Sequence, residues 1–193
     1  TNQSKGIKDN VELEKLDFSE RQHFTKALII GGGPSAVEHA EAIHKFIEKE
    51  KDLIIIHASS KNAFGFQRHA QNQIFCLVGN EGYRLEQVFD RMDTINGICV
   101  LPPFPRKMGT YIPEKMKSQA FELSKIGFTS KYSDSHTAIA LQTALELGVS
   151  EVYIAGYDGY NGEGMAKKEH ELFIENEFLF DLCKSNRNQL RFK

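Results

Sequence analysis

The sequence has no surplus of charge of either sign. Twenty-four Lys and Arg face 26 Asp and Glu, leaving a formal net charge of −2 over 193 residues. A general nucleic-acid binder concentrates a basic excess on one face, so that class is set aside. There is no apolar run near the roughly 20 residues needed to span a bilayer, and the first residues lack the apolar core of a signal peptide. Cysteine is scarce: Cys76, Cys99 and Cys183 are odd in number, widely spaced and embedded in apolar stretches. With no Cys-x-x-Cys or His-x-x-x-His spacing, they read as buried free thiols of a cytoplasmic protein with no structural metal.

What is present is ordinary globular composition, 40% hydrophobic and 26% charged, in a chain long enough to bury a core without staples. The chain opens with Thr1 and stays polar and charged to Phe24. Residues 1–24 therefore read as a linker or leader and 25–193 as a single domain, with the expectation that the domain belongs to a longer protein.

Within 25–193, short apolar runs alternate with helical patterns. Ala27-Leu28-Ile29-Ile30 is continuous, as a strand buried on both faces should be, and three glycines stop it. Pro34 stands where a helix can begin. Val37, Ala40, Ile43 and Ile47 then follow at helical spacing, predicting an amphipathic helix of about four turns. Further strands are expected at 53–56, 74–78, 98–101 and 152–155, with a short edge strand at 190–192. Helices are expected at 84–92, 134–147 and 165–184. Ser133 or Asp134 can cap the 134–147 helix, and Gly148 supplies a left-handed terminator. Its apolar residues lie nearly all round, so it should be buried. Residues 102–113 hold four of the five prolines and read as a long loop, in which Arg106 and Lys107 could clamp a phosphate or simply be solvated. The alternation predicts an α/β fold with a mostly parallel sheet and helices on both faces.

The chemistry-bearing segment is Gly31-Gly32-Gly33-Pro34-Ser35. It matches G-x-G-x-x-A through Gly31, Gly33 and Ala36, between strand and helix, where glycines permit close approach of a ligand and helix amides attract anions. The Ser35 hydroxyl adds a donor. A dinucleotide site would want an acid at the end of the next strand for the ribose hydroxyls. That strand ends His57-Ala58-Ser59-Ser60-Lys61-Asn62, which disfavours NAD, while Ser59 and Asn62 suit a sugar hydroxyl or base edge. The P-loop pattern is also missing. A second candidate lies at Tyr132-Ser133-Asp134-Ser135-His136-Thr137, hydroxyls and an imidazole at a helix start that should open onto the same crevice. His57 and His136 both stand at predicted carboxyl ends of the sheet, where an imidazole can act near neutral pH. Phe64, Phe66 and Phe104 could stack a base or close the core.

Two stretches carry a resemblance. Residues 27–35, ALIIGGGPS, resemble the opening of bacterial sialyltransferases and of the 6-hydroxymethylpterin pyrophosphokinase-like family. Residues 135–160, SHTAIALQTALELGVSEVYIAGYDGY, resemble the later stretch of those families, which ends in Gly-x-Asp. Together they make up 35 of 193 residues. The resemblance implies a Rossmann-like three-layer sandwich binding a nucleotide or nucleotide sugar, with magnesium admissible. It would set Gly31, Gly32, Gly33, Pro34 and Ser35 against the donor, with Ser135 and Thr137 approaching it and Asn62 standing after the second strand. Asp158, at the Gly-x-Asp, could bind a ligand, hold a metal through water or brace the turn. Sialyltransferases of this type use a downstream His as base; His170 is the only His after His136, in a charged helical stretch. A fainter resemblance is to domains that follow an aldolase-type barrel in bacterial proteins of sugar metabolism, which would make an upstream catalytic domain a partner in the native chain. The leading expectation is a transferase domain for a nucleotide-linked donor, glycosyl or pyrophosphoryl. The alternatives are an accessory ligand-binding domain and, more distantly, an NAD-dependent oxidoreductase.

Overall fold

The computed structural model describes residues 6–19, 23–69, 73–92, 96–158, 167–186 and 191–192. Its centre is a seven-stranded parallel sheet. Strand β2 (Lys26–Ile30) lies near the middle, and the chain steps outward through β3 (Leu53–His57), β4 (Gln73–Cys76), β5 (Gly97–Leu101) and β7 (Ala120–Glu122). It then returns to the other side of β2 to add β8 (Glu151–Ala155) and β9 (Arg191–Phe192). Leu28 of β2 pairs in register with Ile55 on one side and with Tyr153 on the other. The neighbours β2 and β8 therefore form the point where the chain reverses direction across the sheet, the place where open α/β sheets hold their ligands.

Strand periodicity of two assigns each central strand's residues to opposite cores. Ala27, Ile29, Ile54, Ile56, Ile74 and Cys76 face one layer, where Ala138, Leu141, Leu179 and Cys183 of helices α4 (His136–Glu146) and α5 (Lys167–Asn186) meet them. Leu28, Ile30, Leu53 and Ile55 face the other, covered by Ile47 of α2 (Ala40–Lys49). Phe75, Cys99 and Leu101 are covered there by Leu85 and Phe89 of α3 (Glu81–Phe89). This is the Rossmann-like three-layer sandwich that the alternating pattern predicts. Every residue of α4 from Thr137 to Ala144 is buried, as its all-round apolar surface requires, and Gly148 ends it at φ 69°. All three cysteines are free and buried.

Several local expectations are corrected. The helix after the glycine turn is not continuous: α1 (Ser35–Glu38) is one turn, and His39, at φ −106° and ψ 19°, separates it from α2. The first turn is held by the end of β8 while α2 packs on the sheet, and His39 absorbs the difference. Helix α4 is capped by the Ser135 hydroxyl, which accepts from the Ala138 amide, rather than by Ser133 or Asp134. The proline-rich loop contains strand β6 (Thr110–Pro113), antiparallel to β1 (Gly6–Asp9) in a small second sheet.

That pairing also corrects the linker reading of 1–24 over its described part. Past β1, the amide of Leu16 donates to the Glu122 carbonyl at 2.8 Å, and the amide of Glu122 donates to the Glu14 carbonyl at 3.0 Å. Residues 14–16 thereby extend the sheet beyond β7. Leu13, Leu16 and Phe18 pack against the cores. The polar character that suggested a linker reflects residues on the outer side of this strap.

The strap is tied by a buried ion pair. Arg106 Nη1 lies 2.7 Å from Glu122 Oε2, with both side chains essentially inaccessible. Glu122 also accepts from the Leu13 amide at 3.0 Å and from Lys15. Arg106 donates to the carbonyls of Pro102, at 3.2 Å, and Val11, and Asn10 grips the Arg106 backbone through two bonds of 2.8 and 2.9 Å. Arg106 is thus neither solvated nor a phosphate clamp. Burial works against the Glu122 charge, but the bonds from Lys15, Arg106 and Leu13 outweigh it and hold its carboxyl below the usual range. Removing one member of a buried pair strands the other. Arg106→Met is expected to cost about 3 kcal/mol or more in urea denaturation and to expose the 6–18 segment to limited proteolysis; an unchanged midpoint would show the strap to be held by its apolar contacts alone.

Candidate active site

A cleft of about 840 Å³ opens at the carboxyl ends of β2, β3, β4 and β8. Its floor is Gly31 and Gly32. One wall comes from the segment after β3 (Ser59, Lys61) and the start of α3 (Glu81, Arg84). The opposite wall comes from the start of α4 (Ser135, His136, Thr137) together with Tyr157 and, from α5, Glu175 and Asn176.

The glycine turn is shaped first by its neighbour β8. The amide of Gly31 donates to the Ala155 carbonyl at 2.8 Å and that of Gly33 to the Gly156 carbonyl at 2.6 Å. A Cβ on Gly31 or on Gly33 would sit 2.6 Å from the Gly156 oxygen, which real side chains do not tolerate. Gly156 itself, at φ 75°, needs glycine for its own turn. Gly32 differs: its Cβ would meet only side-chain atoms, the nearest being Ser59 Oγ at 3.2 Å. The Asn62 amide, buried behind the turn, donates to the carbonyls of Gly31 and Gly33 at 2.9 and 3.1 Å. The Ser35 amide donates to Asp158 Oδ1 at 3.2 Å. The Ser35 hydroxyl above all, and that amide with it, hold the Asp158 carboxyl below its usual range.

The sequence-derived candidates therefore separate into two groups. Gly31, Gly32, Ser59, Ser135, Thr137 and His136 line the cleft. Gly33, Pro34, Ser35, Asn62 and Asp158 are absent from that lining and, Pro34 apart, lock the turn from behind. Asp158 takes the bracing role left open for it. His170 lies on α5, but its side chain is outside the described residues. Residues 159–160, the end of the Gly-x-Asp stretch, are outside them as well.

The hydroxyls on the α4 wall are organised. Thr137 Oγ1 lies 2.6 Å from Asn176 Oδ1 and 3.4 Å from the Tyr157 hydroxyl. His136 Nδ1 lies 2.9 Å from the Ala58 carbonyl oxygen. A carbonyl can only accept, so Nδ1 carries the proton and Nε2 is the ring's acceptor. This fixes the tautomer of the imidazole in the cleft.

His57 belongs elsewhere. By strand alternation it points away from the cleft layer and is fully buried, stacked on Phe75 at 5.1 Å. Its Nε2 donates to Gln73 Oε1 at 2.6 Å, while Nδ1 has no partner. Burial lowers its pKa to about 4, so it is neutral at physiological pH and is not an acid–base group near 7. Phe66 closes the core, whereas Phe64 and Phe104 are exposed, each beneath a guanidinium, that of Arg91 at 5.5 Å and of Arg106 at 5.9 Å.

Sequence reasoning missed Glu81, Arg84, Lys61, Tyr157 and Asn176. Glu81 and Arg84 were invisible because the turn between β4 and α3 carries no motif. Asn176 is one polar residue among many on α5. Among the described residues, no group of three His, Cys, Asp or Glu could hold a metal ion, and no helix is long and apolar enough to cross a membrane.

Fold and cleft together define a Rossmann-like α/β domain with a cleft at the reversal point of the sheet. Among solved structures, 84% of this chain superposes on 27% of the length of the MAf glycosyltransferase from Magnetospirillum magneticum AMB-1, with a TM-score of 0.52 and 17% identity. The chain thus spans about a quarter of that protein, and at this identity the likeness is one of fold. No protein-family model matches the chain, and no curated protein matches it by sequence.

Two outcomes follow from the geometry. Gly33→Ala should destabilise the protein by about 1–3 kcal/mol, the usual cost of overpacking, whereas Gly32→Ala should leave the thermal midpoint nearly unchanged. Equal effects at the two positions would refute the division of the turn into a packed and an open half. The second outcome concerns acid. His57 in the unfolded chain binds its proton near 6.5 and in the folded chain only near 4, so stability is complete above 6.5 and falls as the pH drops from 6.5 towards 4. Its share is about 3 kcal/mol. Burial lowers the pKa of both His44 and His69, which adds a smaller loss of the same sign. Urea midpoints of His57→Phe at pH 7.5 and 5 should differ clearly less than those of the native protein.

Proposed function

We propose that the cleft holds a nucleotide-linked donor and that the chain is the donor-binding domain of a group-transfer enzyme, moving a glycosyl group to a hydroxyl acceptor. The observation that carries this reading is the open half of the glycine turn. Gly32 presents bare backbone to an 840 Å³ cleft at the β2–β8 reversal, facing Lys61 and Arg84 on one wall and hydroxyl groups on the other. Lys61 and the N-terminus of α4 suit a phosphate leaving group, while Arg84 balances the Glu81 carboxylate on the same wall. The Ser35 amide, where a dinucleotide's pyrophosphate would sit, is instead bonded to Asp158, which argues against NAD. A glycosyltransferase as fold neighbour favours glycosyl over pyrophosphoryl transfer.

In this reading the acceptor oxygen attacks the donor's anomeric carbon and the bond to the phosphate oxygen breaks. The acceptor proton passes to His136 Nε2, and the nucleotide departs as a phosphate anion. Magnesium would enter with the nucleotide, as its counter-ion. The fold tolerates other uses, and an accessory role beside another catalytic domain of the native chain is the alternative.

The test is a thermal-shift panel of ATP, CMP-sugars, UDP-sugars and NAD, each with and without magnesium. One nucleotide sugar at a hundredfold excess over its Kd should add about 2.7 kcal/mol of stability, a rise of about 5–10 °C. His136→Gln should keep that shift and slow donor consumption about 100-fold. A shift with NAD alone would overturn the transfer reading in favour of an oxidoreductase, and no shift at all would leave the accessory role.

A further inference from the structure

The end of β3 lacks the acid by which dinucleotide folds grip the ribose, yet a carboxylate stands there. Glu81 belongs to the first turn of α3, after the neighbouring strand β4, and the left-handed Gly79 (φ 56°) turns the chain back towards β3 just before it. Its side chain, only 9% exposed, crosses to the β3 end. There Oε1 accepts from the Ser60 amide at 2.6 Å and lies 3.4 Å from Ser59 Oγ. Arg84 Nη1 is 3.4 Å from both carboxylate oxygens and 3.3 Å from Ser59 Oγ, with its side chain half-exposed. Ser59 in turn faces Gly32 across the floor of the cleft.

We propose, building on the nucleotide-binding reading above, that Glu81 is the ribose-recognition residue of this cleft and that its ligand is a ribonucleotide, not a deoxyribonucleotide. The Ser60 amide fixes one carboxylate oxygen and leaves the other with only a long contact to Arg84, and Glu81 is among the residues that line the cleft. Vicinal 2′- and 3′-hydroxyls are donors that such a carboxylate takes as a pair. Arg84 offsets the carboxylate's charge, so an adjacent phosphate is not repelled. The carboxylate reaches the ribose position from the neighbouring strand's turn instead of from the end of β3. A 2′-deoxyribose would leave an acceptor of a poorly exposed carboxylate unpaired, a penalty larger than the loss of an ordinary hydrogen bond.

The experiment titrates the full chain with ADP, UDP and CMP and with the 2′-deoxy counterpart of each, using calorimetry. In the native protein, whichever nucleotide binds should bind about 10- to 100-fold more tightly than its deoxy form. In Glu81→Gln, whose amide oxygen can still accept from Ser60, that ratio should fall to within about twofold while the unliganded melting temperature stays near native. Equal affinity of ribose and deoxyribose forms in the native protein overturns the proposal and leaves the donor reading standing. So does a Glu81→Gln protein that keeps the full preference. Absence of binding by all six nucleotides overturns both. The comparison within the native protein needs no variant, so equal affinities overturn the proposal even where a Glu81→Gln chain folds poorly.

Discussion

The carbonyl oxygen of Gly156 occupies the space that a side chain on Gly31 or Gly33 would need. From that contact the rest of the site follows. The ends of β2 and β8 are drawn together backbone to backbone, and the amide of Gly33 is bonded to Gly156. Of the turn's residues, Gly31 and Gly32 then face the cleft. Asp158 and Asn62 complete the clamp, one taking the Ser35 amide and the other the carbonyls of Gly31 and Gly33. A turn pinned on one side is a rigid floor, and a rigid floor positions a bound group without the entropic cost of ordering a loop on binding.

A second constraint acts at the opposite edge. Strand β7 has three residues, too few to hold an edge by its own ladder. The strap of residues 10–16 covers it, and the strap is held by the buried pair of Arg106 and Glu122. Edge strands left bare invite pairing with other chains, so this polar-looking segment protects the sheet at the same time as it lengthens it.

The layered architecture was legible from the sequence because its signals are local. Ala27–Ile30 and Leu53–Ile56 are continuous apolar runs, α4 is apolar on all sides, and Gly148 stops it. Strands β6 and β7 were not legible: one sits among prolines, the other is three residues long, and both exist through partners far away in sequence. The same holds for the ion pair, since Arg106 and Glu122 look solvated until the strap is laid over them. In the site, the glycine motif and the α4 start were readable as elements. Which glycine faces the cleft was not, because that depends on where Gly156 lies across the β2–β8 pairing. Glu81 was missed for a related reason: an acid was sought at the end of β3 itself, and the chain brings one there from the next strand.

The three thiols have a practical corollary. Cys76, Cys99 and Cys183 are all sealed inside the layers, and burial pushes the pKa of Cys76 and Cys99 far up. Only the thiolate reacts with alkylating labels, so the native fold is chemically silent towards maleimides. A single cysteine placed at the rim of the cleft would accept a fluorophore alone, with no need to strip the core of its own sulfur.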